Sequence, residues 1–300
     1  MPLFLGLDFG GTKLAAGLAT ADGQLVTFAR RPTVPELGGI GAVQAMRELV
    51  DEMGERARKI AAVGISFGGP VARDRQTTLL SHHGPGWIDY PLVEVVGQIW
   101  PVRIELDNDA NAAALGEYRF GAGRGYQNVL YLTVSTGVGG GIVLGGRLYR
   151  GTRGLAGEVG HTIVWPDGPR CSCGKQGCVE AIASGPSIAR AYVERQPSAL
   201  AEVTAEEVFR LAVSGDVIAR EVLDRAITFL GTGVANAINL LDPDVVVIGG
   251  GVSRAGAALF VPLRQAIAAA SAPSPPNAVP IVPASLGDGV GVLGAVALVL

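Results

Sequence analysis

Four side chains in one short span have the types and spacing of a metal site. Cys171, Cys173 and Cys178 form Cys-x-Cys-x4-Cys, and His161 lies upstream of them. Three thiolates and one imidazole are the donor set of a closed tetrahedral zinc ion, with no position left for a reactive water, so the expected role is structural. The alternative is three free thiols beside an unrelated histidine. Gly174 and Gly177 suit a tight knuckle, and the chain holds only these three cysteines. An odd number so closely spaced also argues against a disulfide framework. Glu158 and Glu180 flank the knuckle, where a bound metal would position carboxylates rather than perform chemistry.

A second candidate is Leu106 to Tyr118, Leu-Asp-Asn-Asp-Ala-Asn-Ala-Ala-Ala-Leu-Gly-Glu-Tyr. Polar residues followed by Ala and Leu describe a capped helix start. Asp107, Asn108 and Asp109 either cap that helix or hold something at its mouth. Glycine-rich turns lie on both sides of the stretch, and a carboxylate between such turns can take a proton from a hydroxyl that attacks a phosphate.

The elements that must position these groups follow from periodicity. Leu3–Asp8, Lys13–Ala19 and Gln24–Arg30 are strand-like and form a meander. The turn at Gly10, Gly11, Thr12 and Lys13 is either a plain hairpin or a set of N–H, hydroxyl and ammonium donors for phosphate. A nicotinamide-binding unit would run from its glycines into a helix, and this one runs into a strand. Ala42–Ile60 is amphipathic at helical spacing, and Ala61–Ser66 is a buried strand ending at Gly68 and Gly69, where ligands of α/β sheets bind. In the turn-rich Thr77–Pro91, His82 and His83 lack carboxylate or cysteine neighbours and fit a pocket rim or solvated loop better than a metal site.

Leu92–Trp100 is a short helix and Val102–Glu105 a short strand. Val129–Val134, the turn Ser135–Gly141 with Thr136 and Gly137, and Ile142–Leu144 repeat the strand, glycine turn, strand plan of the N-terminus. The repeat implies two related lobes facing each other across a nucleotide. Ser187–Val193, Thr204–Ser214 and Val217–Leu241 are helical, and Val245–Ile248 is a strand. A third glycine turn, Gly249-Gly250-Gly251, opens toward a helix at Leu259–Ala270 whose N-terminus suits an anion or an adenine. A proline-rich connector, Ala272 to Pro283, includes a strand at Val279–Val282, and an apolar helix ends the chain.

The 300 residues suffice for one large domain or two modest ones. A net charge of −3 offers no basic surface for nucleic acid, and no apolar run is long enough to span a bilayer. The N-terminus lacks a basic segment ahead of an apolar one, so a cytoplasmic protein without a membrane partner is expected.

The sequence resembles the ROK sugar kinases, within the actin-like, ribonuclease H-like ATPase fold. The resemblance runs from Leu5-Gly-Leu-Asp-Phe-Gly-Gly-Thr-Lys13 to Gly249 and is most specific at Gly157-Glu-Val-Gly-His161 with Cys171-x-Cys-Gly-x-x-Gly-Cys-x-Glu180. It implies two α/β domains with a cleft between them, 1–117 and 118–300, a zinc knuckle at 161–180, and a last helix near 289–300 that packs back on the first domain. ATP would be held by the glycine turns, including Gly10, Gly11, Thr12, Lys13, Thr136, Gly137, Gly250 and Gly251, with Asp8 organising Mg2+. Asp109 matches the catalytic base. Asn108, Glu158, His161 and Glu180 match sugar-contacting positions, Gly68 and Gly69 stand where backbone approaches the sugar, and His161 also serves the zinc.

The implied activity is ATP-dependent phosphorylation of a hexose 6-hydroxyl, glucokinase first. N-acetylmannosamine kinase, fructokinase and a sugar-binding sensor without catalysis are the alternatives. The chain departs from the glucokinase pattern at His83-Gly84-Pro85-Gly86-Trp87, where many members carry Asn before Leu-Pro-Gly-Trp. The first phosphate strand begins at Leu3, so the winged-helix segment of the repressor branch is not expected. A homodimer or higher homo-oligomer is the family expectation.

Overall fold

The computed structural model describes residues 2–54, 59–80, 84–196, 203–272 and 279–300. His82, His83 and residues 273–278 of the proline-rich connector lie outside the described residues. The chain divides into two units: Met1–Gly125 with Gly141–Ala156 and Ser285–Leu300, and Tyr126–Gly140 with Gly157–Ala284.

The chain begins with β1 (Leu3–Phe9), β2 (Lys13–Ala19) and β3 (Leu25–Pro32), paired as an antiparallel meander. Helix α1 (Gly38–Asp51) leads to β4 (Ile60–Phe67), and α2 (Leu92–Ile99) leads to β5 (Arg103–Asn108) and α3 (Asp109–Phe120). β4 runs parallel to β1 and β5 parallel to β4, giving the strand order β3-β2-β1-β4-β5. One face of this sheet buries Leu5, Leu7, Phe9, Ile65 and Phe67 with Met46 and Leu49 of α1 and Leu92 of α2. Trp87 joins them, its ring 4.9 Å from that of Phe67 and 5.8 Å from that of Phe9.

The chain continues through β6 (Val129–Val134), β7 (Val138–Leu144) and β8 (Arg147–Leu148). Four helices follow, α4 (Val179–Ala183), α5 (Gly185–Arg195), α6 (Ala205–Val213) and α7 (Val217–Leu241), then β9 (Val245–Gly249), α8 (Ala257–Ala270), β10 (Ile281–Pro283) and α9 (Val290–Leu298). The second sheet has the order β10-β9-β6-β7-β8. Numbered from their own first strands, the two sheets are alike, so the repeated plan expected from the sequence is borne out. β9 is buried along its whole length and parallel to both neighbours, which is why it lacks alternation.

Helix α9 belongs to the first unit and is buried nearly throughout, as an all-apolar helix must be. Its close approach rests on glycines in its partners. A β-carbon on Gly64 would stand 1.7 Å from the Ala295 carbonyl oxygen, and one on Gly6 would stand 2.2 Å from that of Val292. Gly116 of α3 meets Gly294 in the same way.

Three expectations are corrected. The helix expected over Ala42–Ile60 starts at Gly38 and ends at Asp51. Gly54, at φ 71°, stands just past that end, where an ordinary side chain would be strained. The strand expected over Val102–Glu105 runs on to Asn108, directly against α3. The glycine turn expected over Ser135–Gly141 is shorter, because β7 already begins at Val138. Its glycines make room for close neighbours: a β-carbon on Gly140 would meet the Gly157 carbonyl oxygen at 2.5 Å, and one on Gly141 that of Ala110 at 2.5 Å.

Candidate functional site

In the first unit, the site is built where β5 stops and α3 starts. Asn108 is the helix cap: its Oδ1 accepts from Ala110 N at 2.9 Å and Asn111 N at 3.4 Å. Its Nδ2 donates to the Gly69 carbonyl oxygen at 3.2 Å, tying the helix mouth to the end of β4. Capping is therefore Asn108's task. Asp109 is the first helical residue, with Oδ1 accepting from Ala110 N at 2.8 Å. Burial, and then the charge of Asp8, push the Asp109 carboxyl up to about 6.

Asp8 sits near the C-terminal end of β1, 9% exposed, and accepts from Ser66 Oγ at 2.7 Å. Burial raises its carboxyl, against the opposing effects of Ser66 and Lys13. Gly291 of α9 stands so close that a β-carbon there would lie 2.2 Å from Asp8 Oδ2. Two carboxylates at the C-terminal ends of parallel strands occupy the usual ligand edge of such a sheet.

The hairpin turn beside Asp8 is tight. Gly10 N donates to the Lys13 carbonyl oxygen at 3.0 Å, and Thr33 Oγ1 donates to that of Gly10 at 2.8 Å. Thr12 stands exposed beside Gly11. Gly68 N donates to the Phe9 carbonyl oxygen and Gly69 N to that of Phe67, each at 2.9 Å. Both glycine N–H groups are thus committed inside the protein, and these residues offer a ligand close approach rather than donors.

In the second unit, the ligand atoms of His161, Cys171, Cys173 and Cys178 all lie within 4.8 Å of one another. Cys173 Sγ is 3.7 Å from Cys178 Sγ, and Cys171 Sγ is 3.6 Å from His161 Nδ1. Metal–sulfur bonds of about 2.3 Å in a tetrahedron give edges of about 3.8 Å, so these donors fit zinc. Burial, with the other two sulfurs alongside, pushes the Cys178 thiol up to about 12, a proton that a divalent cation would displace. The loop is seated on α7, where Trp165 stacks on Phe229 at 5.2 Å and Arg225 lies over the indole.

Nδ1 faces the sulfurs, and Nε2 of His161 lies 3.9 Å from Glu158 Oε2. Glu180, on α4 just past Cys178, is engaged at both oxygens. Oε1 accepts from Ser172 Oγ at 3.1 Å and Oε2 from Val138 N at 3.1 Å, so it ties the cysteine loop to the Ser135–Gly137 turn. That carboxylate also explains Gly137, whose β-carbon would meet Oε2 at 2.6 Å.

Thr136 and Gly251 both line a cleft of about 720 Å³. Gly250, at φ 87°, packs against Val134 and shapes the turn from beneath. Gly251–Ala255 is a 3-10 turn, and after Gly256 at φ 57° α8 runs Ala257–Ala270, starting slightly ahead of the helix expected at Leu259 and ending where it was expected to end. Other walls of the cleft, Gly185, Pro186, Glu206, Phe209 and Arg254, were not singled out from the sequence. The first two had a signal in Ser184-Gly185-Pro186, an N-cap followed by Pro in the first turn of α5.

The ROK family model matches residues 4–300. The chain belongs to the ROK family. This ROK chain is 35% identical to a glucokinase of Thermotoga maritima, the match covering 98% of this chain and 96% of that one. It is 39% identical to an N-acetylmannosamine kinase of Escherichia coli O157:H7 over 84% of each chain. It superposes on a ROK family glucokinase from Streptomyces griseus, in complex with glucose and AMPPNP, with a TM-score of 0.86. That pair is 34% identical, with 99% of this chain and 98% of that one covered. The two mixed sheets are those of the actin-like ATPase fold expected for ROK kinases. Among the described residues, no helix is long and apolar enough to cross a membrane.

Proposed function

We propose that this ROK chain is an ATP-dependent hexose kinase, with glucose the first acceptor, acting at the 6-hydroxyl. The observation that carries the reading is Asp109, a carboxylate at a helix mouth whose proton affinity is raised to about 6 by burial and by Asp8. Such a base is largely ionised at neutral pH and still basic enough to take a proton as it is released. Its oxygen accepts the sugar hydroxyl proton as that hydroxyl's oxygen bonds to the γ-phosphorus. The bond from phosphorus to the bridging oxygen breaks, and ADP leaves with that electron pair.

Positioning supplies most of the remaining rate. Asn108, Gly68, Gly69, Glu158, His161 and Glu180 are the residues assigned to the sugar. The turn at Gly10, Gly11, Thr12 and Lys13, with Thr136, Gly137, Gly250 and Gly251, is assigned to the nucleotide. The cleft lined by Thr136, Gly185, Phe209 and Gly251 has room for a nucleoside. Asp8, a buried carboxylate whose charge needs compensation, fits the residue that would hold Mg2+. When bound, that ion neutralises charge on the phosphate oxygens. His161, Cys171, Cys173 and Cys178 would hold zinc as a structural ion.

N-acetylmannosamine is the second acceptor to consider, supported by the likeness to a kinase named for it. ADP release from Mg-ATP with glucose, mannose, fructose and N-acetylmannosamine decides between them, with glucose expected to turn over fastest. Sugar binding by calorimetry without ADP release from any of the four would leave a sensor instead.

The raised carboxyl also sets a pH dependence. A base must be ionised to act, so kcat/KM for the sugar is expected to fall about tenfold per pH unit below about pH 6. An acid limb near pH 4, close to the ordinary carboxylate value of 3.8, would place the rate-controlling base elsewhere.

A further inference from the structure

Beneath the base lies a carboxylate to which the reaction assigns no role. Asp107 is 3% exposed, yet each oxygen is engaged. Oδ2 accepts from Arg150 Nε at 2.6 Å, and Oδ1 accepts from the Asn108 N–H at 2.9 Å and from Asn111 Nδ2 at 2.8 Å. Arg150 belongs to the same unit and follows β8, in a turn closed by Ala156 N donating to its carbonyl oxygen at 3.1 Å.

The arrangement has a direction. Asn111 is 4% exposed, and its Oδ1 finds no hydrogen-bond partner among the described residues, so the bond to Asp107 is what orients this amide. Asp107 thereby grips two points on either side of Asp109: the peptide that enters the helix and a side chain in its first turn. Its own carboxylate is aimed by Arg150, whose planar guanidinium fixes donor direction as an ammonium does not. Compensation of a buried charge would need only a cation. The short bond from Nε, at 2.6 Å, supplies orientation as well.

We propose that Arg150 is a positioning residue for phosphoryl transfer: through Asp107 it fixes the Asn108 peptide and the first turn of α3, and so the direction of the Asp109 carboxylate. The inference rests on Asp109 being the base. A misplacement of about 1 Å in a reacting group can cost on the order of 10² in rate, so a residue assigned to neither sugar nor nucleotide can still govern kcat.

The test measures kcat, both KM values and Tm for the wild type, Asp109→Asn, Arg150→Met, Arg150→Lys and the double variant Asp107→Asn/Arg150→Met. Arg150→Met is expected to lower kcat by about 10- to 100-fold while KM for sugar and ATP stay within about twofold. Arg150→Lys, which keeps the charge and loses the fixed direction, is expected to fall between it and the wild type. In the double variant no buried carboxylate is left unpaired, so Tm is expected to recover while kcat stays low. Recovery of kcat together with Tm would reduce the pair to a structural one and overturn the proposal. So would an Arg150→Met enzyme within twofold of wild-type kcat, or one altered only in KM. A wild type inactive on every hexose, or an Asp109→Asn variant at full rate, would instead overturn the reading of Asp109 and this inference with it.

Discussion

Asp109→Asn is expected to lower kcat by about 10² to 10⁴ while sugar affinity stays within a few fold, measured by coupled ADP release and by calorimetry. The substitution changes little else. An amide oxygen can keep the bond from Ala110 N that Asp109 Oδ1 accepts at 2.8 Å, and the cap belongs to Asn108. What is lost is a group able to take a proton. Stability is expected to move the other way. A carboxyl raised from 3.8 to about 6 by burial and by Asp8 penalises the folded state above about pH 6, and the penalty vanishes as pH falls below the unfolded value. A neutral amide removes that penalty at pH 7 to 8, so Tm of Asp109→Asn is expected to equal or exceed that of the wild type. Asn108→Ala is the contrasting case. It loses the acceptor for Ala110 N and Asn111 N and the donor to Gly69, so it is expected to lose about 0.5 to 2 kcal/mol of stability. A variant of Asp109 that lost stability and kept its rate would have been a cap after all.

That pair of outcomes also marks where sequence reading succeeds and where it stops. The order polar residues, then Ala and Leu, places a helix mouth at Asp107 to Asp109 because capping and propensity are local. Which of the three residues caps and which is left to act depends on backbone at Gly69 and on Asp8, far away in the chain. The strands β2 and β6 and the helix α7 have the bounds that periodicity and apolar runs predict. Gly140 and Gly141 mislead for a physical reason: glycine marks a turn when it supplies unusual φ, but here it makes room for Gly157 and Ala110 in an extended strand. Gly6, Gly64 and Gly116 do the same for α9, and no local pattern announces such partners. Arg150 is the extreme case. It follows a two-residue strand, with Arg147 and Arg153 close by in the chain, and nothing in its neighbourhood of sequence singles it out or points to Asp107.

Cys173→Ser is expected to reduce zinc from about one equivalent per chain to a small fraction, by elemental analysis, and to raise the sugar KM by about tenfold or more. Cys173 is the exposed member of the four, so serine meets little steric or solvation cost and the loss is that of a donor. Structural zinc is worth on the order of 10 to 16 kcal/mol in small peptides, far more than the knuckle's own hydrogen bonds contribute. The second unit is not expected to unfold with it, because Trp165 remains stacked on Phe229 and α7 is buried independently. The disturbance should instead reach the two side chains that the cysteine loop orients. His161 loses the partner that fixes Nδ1 and so the aim of Nε2 toward Glu158, while Glu180 loses the anchored loop that carries Ser172. Asp109 keeps its own bonds within the other unit, so kcat at saturating sugar is expected to fall less than kcat/KM. Metal-free protein that bound sugar with wild-type affinity would mean that the backbone alone aims Glu158 and His161, and that the ion serves only the loop.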